Sequence, residues 1–487
     1  MSEFSDKLSF YISKSGYSIY QLAKMASVDR TTLQKTAKGQ RLPSIEYMKD
    51  ICKYIKISKK QEEELFHLYK IEKIGKATVA AWDEIHQILI DVYRLQNKTQ
   101  TENMLRVHLD QKTFQKFNKN LVQSFFSAIE CMKVIMCVME EELMEQEQPE
   151  IYMDVSWASK LALSQLIQSE NIKEKVLVCH QLLNLCLVEK ENDGVIENIQ
   201  KLHQILAFAF TTQSEYDVRY AYVRECEKEQ KFHLWAHYII THRHVILCSE
   251  DQNEMLVISN EQISESYRKE VEKMALSYRP LFNYQGYSGE GVQKYRDMME
   301  EEETHLTYEG FPCVALMVPD EIKEVIIKDE KIGAYAQAFF EVPKIRGDRF
   351  INIFGTRGLK RFIQTGHLPG VFDHYFFADS IKVRKAMIDN FRQHLIKETR
   401  QFYMVNEAEF QISSVFGIEM YGRKRVTFYS TSEEYEFGFI TIDEPEINEI
   451  FASYFDNLLE SRYLYSKQET IQKFDELVEM YWKEIED

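Results

Sequence analysis

The stretch YSIYQLAKMASVDRTTLQKTAKGQRLPS, residues 17–44, decides the fold at the start of this chain. Ser18 and Asp29 belong to the residue types that cap helix N termini, and Gly39 belongs to the type that ends helices. Between Asp29 and Gly39 the residues are mostly polar, and only Leu33 is well suited to a core. The stretch therefore predicts a helix, a short turn and a second helix with Leu33 inward and a polar face outward.

The second helix of this pair is predicted over residues 30–38, and the RLPS sequence at residues 41–44 is expected to start another helix. The predicted core face of that next helix consists of Met48, Ile51, Cys52 and Ile55. Two helices joined by a turn of about three to four residues, with this polarity, are typical of a helix-turn-helix module.

The residues QLAKMASVDRTTLQKTAKGQRLPS resemble the Cro/CI-like helix-turn-helix family, also called the xenobiotic-response-element (XRE) family. The resemblance extends over about residues 5–58 and contains no gap in spacing. The chain departs from the family pattern at two positions. Ser27 stands where glycine is usual, and Ile19 stands where a DNA-contacting glutamine is common. The second departure puts one DNA contact in doubt and leaves the implied fold unchanged.

The resemblance implies that helix 30–38 lies in the major groove of double-stranded DNA. The positions at which the family reads base edges are occupied by Arg30, Thr31 and Gln34. Arginine can pair bidentately with guanine, and glutamine can do so with adenine. The positions expected to contact the DNA backbone are occupied by Ser18, Gln21, Thr32, Lys35, Lys38 and Arg41.

The distribution of charge supports DNA as a partner, although the net charge of the whole chain is −17. Residues 1–60 contain 12 Lys and Arg against 5 Asp and Glu, a balance of +7, so the remaining residues carry −24. A basic module on an acidic body is expected where only one end of a protein meets phosphates. A helix-turn-helix used for protein contact is the alternative.

The chain is predicted to be multi-domain. An all-α helix-turn-helix domain is expected at 1–60, a helical linker or dimerisation region at 61–148, and a larger α/β region at 149–487. Strand-like and helix-like segments alternate in the last region, which favours an α/β layer architecture. One interpretation divides it into two similar lobes, at 150–280 and 310–460.

A long amphipathic helix is predicted after residue 58, with an interruption at Gly75. Its second half carries apolar residues at a coiled-coil-like spacing of three and four: Trp82, Ile85, Leu89 and Val92. Such a stripe is typical of a dimerisation helix or of a helix that packs within its own chain. The two alternatives stay open because about two heptads are too few to decide.

The sequence holds no HExxH, GxSxG, GxxxxGK[ST] or GxGxxG motif, so we expect no catalytic site, no metal and no cofactor. The densest histidine cluster is His233, His237, His242 and His244, for which a hairpin with polar tips is expected rather than a metal site. The segments VILCSED (245–251) and FGFITIDEPEINEIFASYFDNL (437–458) weakly resemble phospholipase D-like domains. That family requires HxK, which the chain lacks, so the resemblance implies a scaffold without its catalytic residues.

The cellular compartment is predicted from what the sequence contains and lacks. No run approaches the roughly 20 apolar residues of a membrane span, and no secretory signal precedes the first helix. The eight cysteines form no CxxC pair and sit mostly in apolar runs, as buried reduced thiols do. We therefore expect a cytoplasmic protein without a membrane partner.

These observations predict a sequence-specific DNA-binding transcription regulator, more specifically a repressor. We expect a homodimer on a near-palindromic operator, with the α/β region sensing a small-molecule or peptide effector. Two alternatives remain. One is an antitoxin-like or defence-system regulator that acts through protein contact, and the other is a phosphodiesterase-like or nuclease-like enzyme fused to a DNA-binding module.

Overall fold

The structure is a computed structural model. It describes residues 2–95, 121–154, 177–187, 194–211, 215–224, 235–249, 253–285, 304–327, 340, 349–368, 377–397, 401–413, 416–430 and 439–486. The chain divides into two compact units, Met1–Asp83 and Glu84–Asp487. The predicted domain boundaries near residues 60 and 148 stay predictions.

The first unit is all helical. Its helices are α1 (Glu3–Lys14), α2 (Ile19–Met25), α3 (Arg30–Ala37), α4 (Ile45–Cys52), α5 (Lys59–Ile74) and the start of α6 (Lys76–Leu95). Helices α1 to α5 each begin at a side chain that accepts a hydrogen bond from a backbone N–H group; these residues are Ser2, Ser18, Asp29, Ser44 and Ser58. Each such cap stabilises its helix by about 1 kcal/mol, so short polar residues fix where these short helices start.

The core of the first unit is built from two to four apolar positions on each of helices α1 to α5. Leu8, Leu22, Leu33 and Leu65 are fully buried in it, and the ring of Tyr69 packs edge-on against Phe4. The core face predicted for the helix after RLPS is confirmed, since all of its members are buried: Met48, Ile51, Cys52 and Ile55.

The interruption predicted at Gly75 is confirmed. Helix α5 ends there because Gly75 adopts φ 107°, a value that side-chain-bearing residues rarely take. In the second half of the long segment Trp82, Ile85 and Leu89 are buried within the chain, and the Val92 side chain lies outside the described residues. This burial favours the intramolecular alternative for the apolar stripe.

The second unit contains two mixed sheets. Strands of the first are β1 (Val122–Phe125), β2 (Glu150–Asp154), β3 (Val178–Cys186), β4 (Glu215–Val223), β5 (His237–Ile240), β6 (His244–Cys248), β7 (Met255–Ser259) and β8 (Arg279–Pro280). Their order is β1-β7-β6-β5-β2-β3-β4-β8. The described helices in this part of the chain are α7 (Ala128–Glu145), α8 (Gly194–Thr211) and α9 (Glu261–Ala275).

The second sheet follows in sequence. Its strands are β9 (Phe282–Gln285), β10 (His305–Glu309), β11 (Phe350–Phe354), β12 (Gln401–Met404), β13 (Phe416–Tyr421), β14 (Arg425–Ser430) and β15 (Phe439–Ile442). Their order is β12-β11-β10-β13-β14-β15-β9. The described helices of this part are α10 (Val314–Met317), α11 (Lys323–Ile326), α12 (Arg357–Thr365), α13 (Ile381–Ile396), α14 (Pro445–Leu459) and α15 (Lys467–Glu486), with a 3-10 turn at Asp320–Ile322.

The two sheets repeat one topology. Strands β2, β3 and β4 are parallel neighbours, β5, β6 and β7 continue from β2 as an antiparallel meander, and α9 follows. Strands β10 to β15 and helix α14 repeat this plan, and β9 pairs antiparallel with β15 as β1 does with β7. An all-α region followed by an α/β region with two sheets of similar topology is therefore confirmed. The lobe boundaries at 150–280 and 310–460 and the phospholipase D-like resemblance stay predictions.

The segment at residues 122–125 differs from its predicted structure. Residues 122–125, expected to be helical within 61–148, form strand β1 and pair with β7 more than 100 residues later. Long-range pairing overrides local helical preference there, because the strand gains its hydrogen bonds from β7.

The described cysteines are all buried free thiols, and Cys226 lies outside the described residues. No described helix combines the length and apolar character needed to cross a bilayer.

Candidate functional site

Helix α3 has one buried face and one exposed polar face. Leu33 is fully buried, and Thr36 and Ala37 pack beside it. The exposed positions of α3 and its C-cap are Arg30, Thr31, Gln34, Lys35 and Lys38. The structure thus brings the three predicted base-reading residues together on one surface with two of the predicted backbone-contacting lysines. Sequence reasoning missed that Thr36 is buried as well as Leu33.

The remaining predicted contacts lie at the edges of this surface. Ser18, Gln21 and Arg41 are exposed, and Thr32 is half-buried. A guanidinium nitrogen of Arg41 donates to the Thr32 hydroxyl at 3.4 Å, which joins the loop after α3 to the first turn of that helix.

The N terminus of α3 is fixed from two sides. The Asp29 carboxylate accepts a hydrogen bond from the Thr32 backbone N–H at 2.5 Å, and the Tyr47 hydroxyl donates to the Asp29 carbonyl at 2.7 Å. The hydrogen bonds from Thr32 lower the pKa of Asp29, so its carboxylate stays charged at the positive end of the helix. Tyr47 on α4 therefore helps to hold α3, which the sequence pattern did not indicate.

Helix α2 begins with a reciprocal capping box. The Ser18 hydroxyl accepts from the Gln21 backbone N–H at 3.3 Å, and the Gln21 side-chain oxygen accepts from the Ser18 backbone N–H at 2.9 Å. These two predicted DNA-backbone contacts are therefore also the residues that fix where α2 starts.

An aromatic ring lies beside the first residue of α3. The Arg30 guanidinium is 5.8 Å from the centre of the Tyr20 ring, and Tyr20 is 59% exposed. Cations are attracted to aromatic faces at such distances. Sequence reasoning did not select Tyr20, although a large aromatic at an exposed helix position is an available signal.

The exposed cations of this surface are not engaged by the ion pairs described for the first unit. Those pairs join Lys7 to Glu64 at 2.6 Å, Lys53 to Asp50 at 2.8 Å and His67 to Asp83 at 3.9 Å. The positive charge of α3 and its flanks thus faces solvent, where it can attract an anionic partner.

The histidine hairpin in the second unit is held by carboxylates of α7. An imidazole nitrogen of His242 lies 2.5 Å from Glu142, and His244 lies 3.1 Å from Glu141, which also accepts from Arg243. Burial alone would raise the pKa of Glu141, but His244 and Arg243 lower it. Among the described residues no group of three or more His, Cys, Asp or Glu is arranged to hold a metal. His233 lies outside the described residues.

The first lobe carries a pocket of about 190 Å³ between its sheet and α9. His180 stacks on Tyr152 with ring centroids 4.6 Å apart, and its ring nitrogens face Glu150 at 3.0 Å and Asp217 at 3.5 Å. Burial would lower the pKa of His180, but hydrogen bonds to Asp217 and Glu150 raise it. Converging ionisable and aromatic groups in a concave site are a common basis of ligand recognition.

Comparison with known proteins finds a family match within the first unit. Residues 12–60 match the helix-turn-helix family. No curated protein sequence matches the chain.

Two solved structures show weak similarity. TrmBL2, an archaeal chromatin protein with a novel mode of DNA binding, is 10% identical over 58% of this chain and 95% of its own, with a TM-score of 0.19. Polyphosphate kinase from Porphyromonas gingivalis is 6% identical over 70% of this chain and 46% of its own, with a TM-score of 0.18. TM-scores this low do not establish a common fold.

Proposed function

We propose that this chain, in which residues 12–60 form a helix-turn-helix domain of the Cro/CI type, is a sequence-specific transcription regulator that acts as a repressor. The observation that carries the proposal is the polar face of α3. It is exposed and cationic, and the opposite face is anchored by the buried Leu33.

In this proposal Arg30, Thr31 and Gln34 read base edges in the major groove. The residues that contact the DNA backbone are Ser18, Gln21, Thr32, Lys35, Lys38 and Arg41. The exposure of the base-reading residues supports these roles, as does their position on the first turns of α3.

The operator would be nearly palindromic and the protein a homodimer. A single helix-turn-helix reads one half-site, and a two-fold dimer presents two recognition helices about 34 Å apart, one turn of DNA. Repression follows if the bound dimer excludes the transcription machinery from that site.

The acidic unit would sense a small-molecule or peptide effector. The pocket beside His180 supports a small-molecule site, because its lining combines an aromatic ring with ionisable groups of both signs. An effector that binds one conformation better than the other would shift the population of DNA-competent dimers. A thermal-shift screen of metabolites and peptides against the full chain, repeated with His180→Ala, would test this site.

Selection of bound sites from random double-stranded DNA by the full-length protein tests the proposal directly. Enrichment of a two-fold-symmetric motif is the expected result. Absence of any enrichment at low salt would show that this surface does not read DNA sequence.

The roles of individual residues can then be separated on the selected site. Arg30→Ala should cost about 1–3 kcal/mol and relax the preference at one base pair in each half-site. Lys38→Ala should weaken binding to all sequences about equally and lower the salt slope by about one. Unchanged operator binding by Arg30→Ala would show that the groove assignment is wrong.

We also propose that the second unit is not a phosphodiesterase. The engagement of His242 and His244 by Glu142 and Glu141 supports a structural role for the hairpin. Turnover of DNA or a bis-phosphodiester reporter, with or without divalent metal, would overturn this part of the proposal.

A further inference from the structure

The segment LVQSFFSAI, residues 121–129, presents apolar side chains to solvent and contains no charged residue. We call it the β1 segment. The apolar side chains of Leu121, Val122, Phe126 and Ile129 are between 49% and 72% exposed. Single exposed apolar residues are ordinary on protein surfaces, but several together in one short segment mark an interaction surface.

The position of the β1 segment in the fold supports an interaction. Within the described residues, β1 stands at one end of the strand order of the first sheet. Soluble proteins usually protect such edge strands with lysines, prolines or inward charges. None of these residue types occurs in the β1 segment.

The charge of the second unit restricts what this surface can meet. Residues 1–83 contain 15 Lys and Arg against 10 Asp and Glu, a balance of +5. Because the whole chain has a net charge of −17, residues 84–487 carry −22. Two such units repel each other over most of their surfaces, and contact costs least where no charge is present. The β1 segment is an uncharged, exposed surface at which two copies can meet.

The apolar stripe of α6 is not available as a dimer interface. Trp82, Ile85 and Leu89 belong to that stripe, and each is at least nine-tenths buried within one chain. They are therefore not available to pair with another molecule unless α6 leaves its place.

We propose that the β1 segment is the homodimer interface of this protein. The partner is a second copy of the chain, and the segment meets itself across a two-fold axis, as an isologous contact requires. The inference rests on the proposed function in one respect, because reading a palindromic operator calls for a two-fold dimer.

The test compares the mass of the full-length protein with that of two variants by sedimentation across a micromolar concentration series. The combined change Phe126→Glu and Ile129→Glu places two charges in the interface, and both side chains are more than 70% exposed, so folding should be unaffected. The control is Leu276→Glu, at an 85% exposed leucine outside the segment. Circular dichroism and thermal unfolding of each variant verify the fold.

We expect the wild type and Leu276→Glu to sediment at twice the 57.8 kDa chain mass, and the double variant at the chain mass. A wild type that is monomeric throughout the series overturns the proposal, as does a double variant that stays dimeric. Loss of the dimer in Leu276→Glu as well would show that the effect is one of general charge, which also overturns it.

DNA selection separates this inference from the proposed function. If the double variant loses the dimer and the wild type enriches no DNA sequence, the proposed interface is supported and the proposed DNA-reading role is contradicted. If the wild type enriches a symmetric motif and the double variant is still a dimer, the proposed DNA-reading role is supported and the proposed interface is contradicted.

Discussion

Ser27 stands in the turn between α2 and α3 with φ 55°, the one side-chain-bearing residue with positive φ among those described. The left-handed region costs such a residue about 1–2 kcal/mol. The backbone N–H of Val28 donates to the Ala23 carbonyl at 2.9 Å, which holds the turn closed. The strain persists because Leu22 before the turn and Leu33 after it are both fixed in the same buried core.

The change Ser27→Gly should raise the free energy of unfolding of the first unit by about 0.5–1 kcal/mol. Glycine takes positive φ without steric cost, and its greater freedom in the unfolded chain offsets part of the gain. Chemical denaturation followed by circular dichroism measures the change. Ser27→Ala, which keeps the strain, should show no such gain, and a destabilised Ser27→Gly would contradict the strain argument.

Tyr20 should contribute to DNA binding through its contact with Arg30. An exposed cation–π contact is worth about 0.5–1 kcal/mol, so Tyr20→Ala should weaken operator binding by roughly two- to fivefold through looser positioning of Arg30. Fluorescence anisotropy on the selected site measures this, with Tyr20→Phe as the matched control that retains the ring. In an Arg30→Ala background, Tyr20→Ala should have no further effect; an equal loss in both backgrounds would assign Tyr20 a separate role.

At the scale of elements, a row of buried polar residues crosses the second sheet. Its members are in register on five adjacent strands: Asn352, Thr307, Glu419, Thr427 and Thr441. The Asn352 amide donates to the Thr307 hydroxyl at 2.7 Å, and the hydroxyls of Thr427 and Thr441 lie 3.0 Å apart. Buried polar groups are tolerated when paired in this way, and such a network fixes strand register.

Glu309, at the end of β10, makes the stability of this sheet depend on pH. Burial, reinforced by the nearby Glu419, raises the pKa of Glu309 to about 8. The pKa of Glu309 is higher in the folded state than in the unfolded state. At pH values between these two pKa values the folded state therefore binds one more proton than the unfolded state. Stability should therefore fall as pH rises through that window, by on the order of a few kcal/mol.

The change Glu309→Gln should remove this fall in stability, because glutamine stays neutral at every pH. In the wild type the Asn352 amide donates to Glu309 at 2.7 Å, and the glutamine oxygen can accept the same hydrogen bond. Thermal unfolding of wild type and variant from pH 5 to pH 8.5 provides the measurement. Glu449→Gln changes an exposed carboxylate of the same lobe and should follow the wild type. Parallel pH profiles for Glu309→Gln and wild type would show that Glu309 does not carry the dependence.

The elements that could be predicted from sequence are those whose signals are local. Ser18 and Asp29 begin α2 and α3 where expected, and α3 ends one residue earlier than predicted, with Lys38 as its C-cap. Strand β1 could not be predicted, because its only described partner strand, β7, lies more than 100 residues away. Register between distant strands leaves no mark in a short window of sequence.

The candidate site shows the same limit. Most of the exposed face of α3 follows from the core position Leu33, so its polar residues could be identified from the sequence, whereas the burial of Thr36 could not. The contacts of His242 and His244 with Glu142 and Glu141 could not, because they join residues about 100 positions apart. Only the packing of α7 against the hairpin brings those carboxylates to the histidines.

At the scale of the whole molecule, charge is segregated between the two compact units. Met1–Asp83 carries +5 and Glu84–Asp487 carries −22. The field of the acidic unit opposes the approach of any polyanion, and salt screens this field beyond about 10 Å at 0.1 M ionic strength. Non-specific DNA binding by the full chain should therefore be suppressed relative to its basic unit, which leaves specific contacts to determine where the protein binds.

A fragment of residues 1–83, a compact unit with its own buried core, should consequently bind random-sequence DNA about tenfold more tightly than the full chain at low salt. The same fragment should bind the selected operator more weakly, because it lacks the β1 segment proposed to form the dimer. Anisotropy titrations of both proteins on both DNAs over a salt series measure the two effects, with the fragment's helicity checked first. The non-specific difference should shrink as salt rises; a difference that does not change with salt would mean that the acidic unit blocks the DNA surface by contact and not by its field.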